Sequence, residues 1–238
     1  AGDNVIGSAL EITGGQVFAQ KLTLIRDNTL QHAHATLALS NNGTLWLGPG
    51  GLQAHVGSLN TSYRIYLAGG TLGALSDFEI NADLTLAGDS FVVHTADPAG
   101  NPRNILVQGA VVGSGSLTKT GSGTLTLNGP ASYTGRTFLR EGRLRVAHNQ
   151  ALLNTPSVNL APGTVLDVRA QPGFLWSGPR TLSGLGQVEG DLTLQNGGIL
   201  APGGEGQAGA LHVQGTLTLG EGGVCQLELA ADPTANPS

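Results

Sequence analysis

Short segments in which apolar and polar residues alternate recur along the whole chain, and Gly, Asn, Asp or Pro closes each of them within a few residues. Alternation with a period of two is typical of half-buried β-strands, and the closing residues are typical of turns. An α-helix needs a period of 3.6 over at least about ten residues, and almost no window free of Gly and Pro provides it. The sequence therefore predicts an all-β protein. The clearest segments are 21–25 (KLTLI), 44–47 (TLWL), 83–86 (DLTL), 124–127 (TLTL), 191–194 (DLTL) and 216–219 (TLTL).

The tripeptide Leu-Thr-Leu gives a ruler for the repeat, because it begins at Leu22, Leu84, Leu125, Leu192 and Leu217, with gaps of 62, 41, 67 and 25 residues. If these gaps are three, two, three and one turns of a coil, a turn takes about 22 residues, which is within the range of stacked repeats. A sandwich or barrel would show two-residue hairpin turns and larger aromatic anchors, but only 4% of the residues are aromatic. The pattern favours a parallel β-solenoid of about 11 turns, with aliphatic columns inside and Gly and Asn at the corners.

Charge and cysteine content exclude several classes of partner. The net charge of −5 lacks the basic footprint of a nucleic-acid binder. One cysteine cannot form an intramolecular disulfide, and no Cys/His cluster predicts a structural metal site. No apolar run approaches the roughly 18 residues of a membrane span, so we expect no membrane insertion of this segment. Phosphate-binding glycine motifs are missing as well, so we expect no cofactor.

The chain is expected to form one domain over residues 1–238. Residues 96–103 (ADPAGNPR) form the most loop-like interior stretch, and they predict either a lateral loop from one turn or a seam between two solenoid blocks. Residues 231–238 (ADPTANPS at the C-terminus) are predicted to be a tail.

Residues 117–146 (LTKTGSGTLTLNGPASYTGRTFLREGRLRV) carry a specific family pattern, with looser versions in 157–168, 182–204 and 210–229. The segment resembles the autotransporter-associated β-strand repeat of bacterial passenger regions. The resemblance implies a right-handed parallel β-helix that is exported to the cell surface or beyond, and it identifies no activity by itself. The matching positions are Lys119, Gly121, Gly123, Leu125, Leu127, Gly129, Tyr133, Gly135, Thr137, Gly142, Leu144 and Val146.

The densest basic cluster lies in the same segment and comprises Arg136, Arg140, Arg143 and Arg145, beside Tyr133. Because Arg143 and Arg145 flank Leu144 in an alternating strand, both guanidinium groups are expected on the outer face. Such a patch on an acidic protein could bind sulfate, carboxylate or phosphate groups of a glycan. The alternative is local pairing with Glu141 or with residues of adjacent turns.

Other chemistry-bearing residues predict weaker sites. The acidic residues Asp77, Glu79, Asp83 and Asp89 could serve a polysaccharide lyase or hydrolase, although Asp77 and Glu79 should point outward into solvent. His32 and His34 would share one strand face, without an apparent third metal ligand. Trp46 and Trp176 each lie next to a Gly/Pro turn, where they could stack on sugar rings or cap the core.

Taken together, these features predict an extracellular or bacterial cell-surface module that is structural or adhesive and not an enzyme. Its uncapped ends would offer unpaired backbone groups to further repeats of a longer parent chain or to other copies, in which case a filament results. The alternatives are a glycan-binding module that uses the arginine face and a polysaccharide lyase or hydrolase.

Overall fold

The computed structural model describes residues 6–24, 33–54, 62–88, 90–203 and 208–228, and β-strands are the regular structure of these ranges. The all-β prediction is confirmed. No helix in these ranges is long and apolar enough to cross a lipid bilayer. The strands are β1 (Ile6–Ile12), β2 (Gln16–Leu24), β3 (Ala33–Ser40), β4 (Thr44–Ala54), β5 (Ser62–Ala68), β6 (Thr71–Ala74), β7 (Phe78–Ile80), β8 (Leu84–Leu86), β9 (Phe91–His94), β10 (Ile105–Val107), β11 (Val111–Gly113), β12 (Leu117–Thr120), β13 (Thr124–Leu127), β14 (Thr137–Leu139), β15 (Arg143–Val146), β16 (Ser157–Leu160), β17 (Val165–Asp167), β18 (Phe174–Ser177), β19 (Thr181–Gly184), β20 (Gln187–Glu189), β21 (Leu192–Gln195), β22 (Ile199–Pro202), β23 (His212–Gln214), β24 (Leu217–Leu219) and β25 (Val224–Cys225).

Every named pair of strands is parallel, and the register stacks the strands into three faces. Face A contains β1, β3, β5, β8 and β11, and later β18, β21 and β24, with single parallel bridges at Ala131 and Ala151 between the two groups. Face B contains the first half of β2 and of β4, then β6, β9, β12, β14, β16, β19, β22 and β25. Face C contains the second half of β2 and of β4, then β7, β10, β13, β15, β17, β20 and β23. The fold is a parallel β-helix.

One turn of the helix, called a rung here, places one segment on each face. The register along face B links ten strands, so the described ranges contain rungs 1 to 10, from β1 and β2 to β24 and β25. The earlier figure of about 11 turns was for the whole chain, part of which lies outside these ranges, and it stays a prediction, as does the handedness.

Strict alternation along each short strand builds the core. The outer residues of a strand such as β8 or β13 are partly exposed, whereas their neighbours Leu84, Leu86, Leu125 and Leu127 are at most 3% exposed. Parallel stacking places like residues above one another, so the core is a set of aliphatic columns, and burying each such side chain contributes about 1.5–3 kcal/mol. Asn41, Asn42 and Asn196 take positive φ angles at turns, as the sequence predicts for corner asparagines.

The assumption that the Leu-Thr-Leu copies are separated by whole turns was wrong, because the five copies do not lie on one face. Leu22 and Leu125 belong to face C, whereas Leu84, Leu192 and Leu217 belong to face A. The gaps therefore include fractions of a turn. Register partners on adjacent rungs are separated by 18 residues between Thr181 and Ile199 and by 28 residues between Gln16 and Thr44.

The loop-like stretch 96–103 leaves the helix between β9 and β10, two strands of rung 4. An antiparallel bridge joins Ala96 and Pro102, and the Asp97 carboxylate organises the loop by accepting hydrogen bonds from Asn101, Ala99 and Arg103. The Asn101 amide and the Arg103 guanidinium lower the pKa of Asp97 to about 2. The flanking strands β9 and β10 both pair with strands of rungs 3 and 5, and the assignment of the stretch as a lateral loop or a seam stays a prediction. The expected tail, residues 231–238, lies outside the described ranges.

Candidate functional site

The four arginines of the basic cluster all lie on rung 6, but they do not share one face. Arg136 precedes β14 and Arg140 follows it, so these two flank face B. Arg143 and Arg145 belong to β15 on face C, where both point outward beside the buried Leu144. The expectation of an outward Arg143 and Arg145 is confirmed, and the cluster as a whole extends around a corner of the helix.

Arg143 is held by carboxylates of the next two rungs. Its guanidinium donates to both carboxylate oxygens of Glu189 at 2.7 and 3.0 Å and lies 3.3 Å from Asp167. Arg169 donates to both oxygens of the same Asp167, at 2.9 and 2.8 Å. The bond from Arg143 lowers the pKa of Glu189, and the bond from Arg169 lowers the pKa of Asp167. Arg143 therefore follows the alternative prediction of pairing with adjacent turns, and its charge is compensated.

Arg136, Arg140 and Arg145 have exposed side chains. The Arg140 guanidinium lies 5.0 Å from the centre of the Phe138 ring, at a distance typical of a cation–π contact. Within the described ranges, no carboxylate lies within ion-pair distance of any of the three. These three cations are available to an anionic group in solvent, and their binding of a glycan stays a prediction.

Tyr133 requires a correction, because it lies inside the helix and not beside the arginines. The side chain is 0% exposed, and its hydroxyl is 2.6 Å from the Thr137 hydroxyl, which is in turn 3.3 Å from that of Thr155. Burial raises the pKa of Tyr133 above its usual range. A ring in the core cannot contact a ligand on the surface, so Tyr133 supports the fold of the repeat.

Two carboxylates of the acidic cluster accept hydrogen bonds from backbone amides of the next rung. The Asp77 carboxylate accepts hydrogen bonds from the Asn104 amide and side chain, and Asp83 accepts one from the Ala110 amide. Glu79 points outward from β7 between the buried Phe78 and Ile80, as predicted. Asp89 lies outside the described residues.

Of the predicted histidine pair, His32 lies outside the described residues. His34 points outward from β3, with Nδ1 2.6 Å from the Ser62 hydroxyl. In the part of the chain that the structure describes, no three His, Cys, Asp or Glu side chains are close enough to hold a metal ion.

The two tryptophans differ in their surroundings. Trp176 is 0% exposed, and the Arg180 guanidinium lies 4.3 Å from its ring centre. Trp46 points outward from β4 on face B, where its ring stacks on Phe18 at 6.1 Å between centres, with 7° between planes. His94 meets the same indole edge-on at 5.7 Å, and burial lowers the pKa of His94. Trp176 therefore fills the core, whereas Trp46 belongs to an aromatic row on the outer surface.

Lys119 and Arg180 are buried cations whose position the alternation alone does not reveal. Lys119 is 0% exposed and occupies a core column of face B between Val93 and Leu139. Its ammonium donates to the carbonyl oxygens of Thr120, Gly121 and Glu141 at 3.2, 2.5 and 2.9 Å. Desolvation lowers the pKa of Lys119 to about 7, although the nearby carboxylate of Glu141 opposes this change. The one sequence signal is that Lys119 takes an inward position of an alternating strand, and this signal does not show which groups bind its ammonium.

Comparisons with known proteins agree with this architecture. Residues 117–146, which run from β12 to β15 and so cover rung 6 and two faces of rung 5, match the model of the family described as passenger-associated-transport-repeat. The chain is also 32% identical, over 162 residues, to a Brucella suis protein named adhesin BmaC autotransporter. That alignment covers 66% of this chain and 4% of the adhesin, so the chain spans a small part of its relative's length. No solved structure matches the chain significantly. The chain is therefore a parallel β-helix that carries one passenger-associated-transport-repeat, residues 117–146, on rungs 5 and 6.

Proposed function

We propose that this chain is a non-catalytic adhesive module of a bacterial cell-surface or secreted protein. The similarity to an adhesin over 162 residues carries the proposal, since this length corresponds to many consecutive rungs rather than to one short motif. The architecture supports it, because stacked rungs satisfy the backbone hydrogen bonds of one another and leave long, regular outer faces for contacts.

The adhesive role predicts that beads coated with the folded chain attach to cultured mammalian cells several-fold more than beads coated with albumin. Beads coated with the same chain after irreversible heat denaturation provide the matched control, since composition and charge are then unchanged. Equal attachment of folded and denatured preparations would contradict the proposal, because adhesion would then not depend on the stacked faces.

We further propose that copies of the β-helix stack end to end into filaments. On rung 10, Leu217 and Leu219 are 39% and 56% exposed, although their register partners one rung earlier, Leu192 and Leu194, are fully buried. On rung 1, Leu10, Val17 and Leu22 are only partly buried, whereas their partners Leu37, Leu45 and Leu52 on rung 2 are at most 1% exposed. Apolar columns that continue to both ends favour head-to-tail contacts, and a heterologous contact that does not close gives a fibre.

End-to-end stacking predicts that purified protein forms unbranched fibres in negative-stain electron micrographs. Leu219→Glu should shorten them to single rods, because a carboxylate would then lie in the apolar column between copies. Leu153→Glu is the matched control, since Leu153 is a comparably exposed leucine on the flank of the helix. Single rods in the unaltered protein would contradict self-stacking and favour further repeats of a longer parent chain as the natural neighbour of rung 10.

A second candidate function is binding of an acidic glycan by Arg136, Arg140 and Arg145. The observation that favours it is the exposure of these guanidinium groups without a carboxylate partner in the described ranges. Binding of this kind weakens as salt concentration rises, because exposed charges are screened.

A further inference from the structure

Face B of the first four rungs carries a row of aromatic rings on its outer surface. Phe18 on rung 1 is 56% exposed and stacks on Trp46 of rung 2, which in turn meets His94 of rung 4. The register places all three in one outward column, in which Gly73 is the residue of rung 3. We call Phe18, Trp46 and His94 the aromatic row.

Gly73, the residue of rung 3 in this column, leaves room for the Trp46 ring. A side chain at this position would collide with the six-membered ring of Trp46, so the indole of rung 2 lies over the backbone of rung 3. The indole nitrogen donates to the Gln16 side-chain oxygen at 3.1 Å, which fixes the orientation of the ring. Because two contacts and one hydrogen bond hold the indole, little conformational entropy remains to be lost when a ligand covers it.

The outward side chains beside the row on the same strands are mostly polar and carry no fixed charge. The second outward column of the same strands consists of Gln16, Thr44, Thr71 and Val92. The outward positions of these four strand segments hold no carboxylate, ammonium or guanidinium group. The surface therefore offers aromatic rings beside hydroxyl and amide groups, in contrast to the arginines of rung 6.

The other surface aromatic residues of the described ranges, Tyr63, Tyr66 and Phe138, do not stack on another aromatic ring. Phe78, Phe91, Tyr133, Phe174 and Trp176 are buried in the core. Only 4% of the residues are aromatic, so a stack of rings on the outer surface is unusual for this chain. Contiguous exposed apolar groups mark binding surfaces.

The ligand class follows from this chemistry. A pyranose ring presents an apolar C–H face that can stack on an aromatic ring, and its rim of hydroxyl groups can exchange hydrogen bonds with threonine and amide side chains. Rungs are spaced by about 4.8 Å, which is close to the length of one sugar unit in an extended glycan. We propose that the aromatic row on face B of rungs 1 to 4 binds an extended, uncharged glycan that runs along the helix axis. This inference rests on the adhesive function and names a ligand for it.

The test is isothermal titration of the folded chain with two uncharged probes, cellohexaose and chitohexaose. At least one of them should bind, and its affinity should change less than two-fold between 50 and 500 mM NaCl, since the outward positions of the strands that carry the row hold no fixed charge. Trp46→Ala should weaken binding at least ten-fold, and Phe18→Ser should weaken it several-fold. Tyr66→Ala is the matched control, because Tyr66 is a partly exposed aromatic residue on face A, and it should leave the affinity unchanged.

Phe18→Ser keeps the test decisive if Trp46→Ala fails to fold, because Phe18 is mostly in solvent. Absence of binding by both hexasaccharides would overturn the inference, as would equal binding by wild type and Phe18→Ser. Loss of cell attachment in Phe18→Ser without any saccharide binding would instead assign the row to a protein partner. Beads that still attach to cells while neither saccharide binds would overturn the glycan assignment and leave the adhesive function standing.

Discussion

Replacement of Arg180 by Met is expected to lower the free energy of unfolding by about 3 kcal/mol or more, because buried carbonyl groups would lose their hydrogen-bond donors. Arg180 is only 7% exposed, and its guanidinium donates to the carbonyl oxygens of Leu152 at 2.7 Å, Leu153 at 3.0 Å and Ser177 at 2.7 Å. The same group covers the ring of the buried Trp176. One side chain thus joins rung 7 to rung 8 in the part of the helix where face A has no continuous strand pairing.

The measurement is urea unfolding followed by far-ultraviolet circular dichroism. Methionine has a volume close to that of arginine, so the loss reports hydrogen bonds more than packing. Arg64→Met is the matched control, since Arg64 also stacks on an aromatic ring, Tyr66, at 5.1 Å, but is exposed. The control should change the free energy of unfolding by less than about 0.5 kcal/mol. An equally small effect of Arg180→Met would show that the carbonyl groups find other donors.

The sequence was sufficient for the fold class because alternation reports burial directly. A segment such as TLTL at residues 124–127 can bury its leucines only as a strand with one face inward, and the structure places it so. The number of residues per face was not predictable in this way. The helix has three faces joined by corners of variable length, so the same tripeptide can occupy different faces, as at Leu84 and Leu125. The spacing between two copies therefore does not have to equal a whole number of turns.

The candidate site was less predictable, since its residues depend on contacts between rungs. Proximity in sequence suggested one basic surface, but the corner between β14 and β15 separates Arg136 from Arg145. The partner of Arg143 is Glu189, 46 residues away, which no local pattern indicates. The aromatic row has the same origin: Phe18, Trp46 and His94 become neighbours only when rungs of different length are stacked in register.

The burial of Lys119 and Arg180 was also not predicted from the sequence, because it depends on hydrogen bonds to backbone carbonyl groups. In an alternating strand, an inward lysine looks like an interruption of the pattern, although its ammonium can reach corner carbonyl groups of its own rung and the next. Lys119 does this at the corner after β12, where Glu141 in turn accepts a hydrogen bond from the Gly121 amide at 2.9 Å. At this corner of the passenger repeat, the Lys119 ammonium therefore binds backbone carbonyl groups, and the Glu141 carboxylate binds a backbone amide.

The buried Lys119 predicts that the protein becomes more stable as pH rises from 7.5 to 9.5. Its pKa is about 7 in the folded protein, against an ordinary value of 10.5, because burial penalises the ammonium. In this window the unfolded chain binds the proton and the folded protein has released it, so unfolding takes up a proton and its free energy increases with pH. The expected rise is about 2–3 kcal/mol, since each unit of pKa difference corresponds to about 1.4 kcal/mol.

Urea unfolding at pH 7.5, 8.5 and 9.5 measures this increase, and Lys119→Met should abolish it by removing the titrating group. Lys21→Met is the matched control, because Lys21 is exposed and its loss should leave the slope unchanged. His94 lies near Lys119 but has a lowered pKa, so it titrates below the window and does not contribute to the slope. A flat profile in the unaltered protein would mean that Lys119 stays protonated up to pH 9.5. The three carbonyl bonds and Glu141 would then outweigh desolvation, and the corner would hold a permanent buried charge.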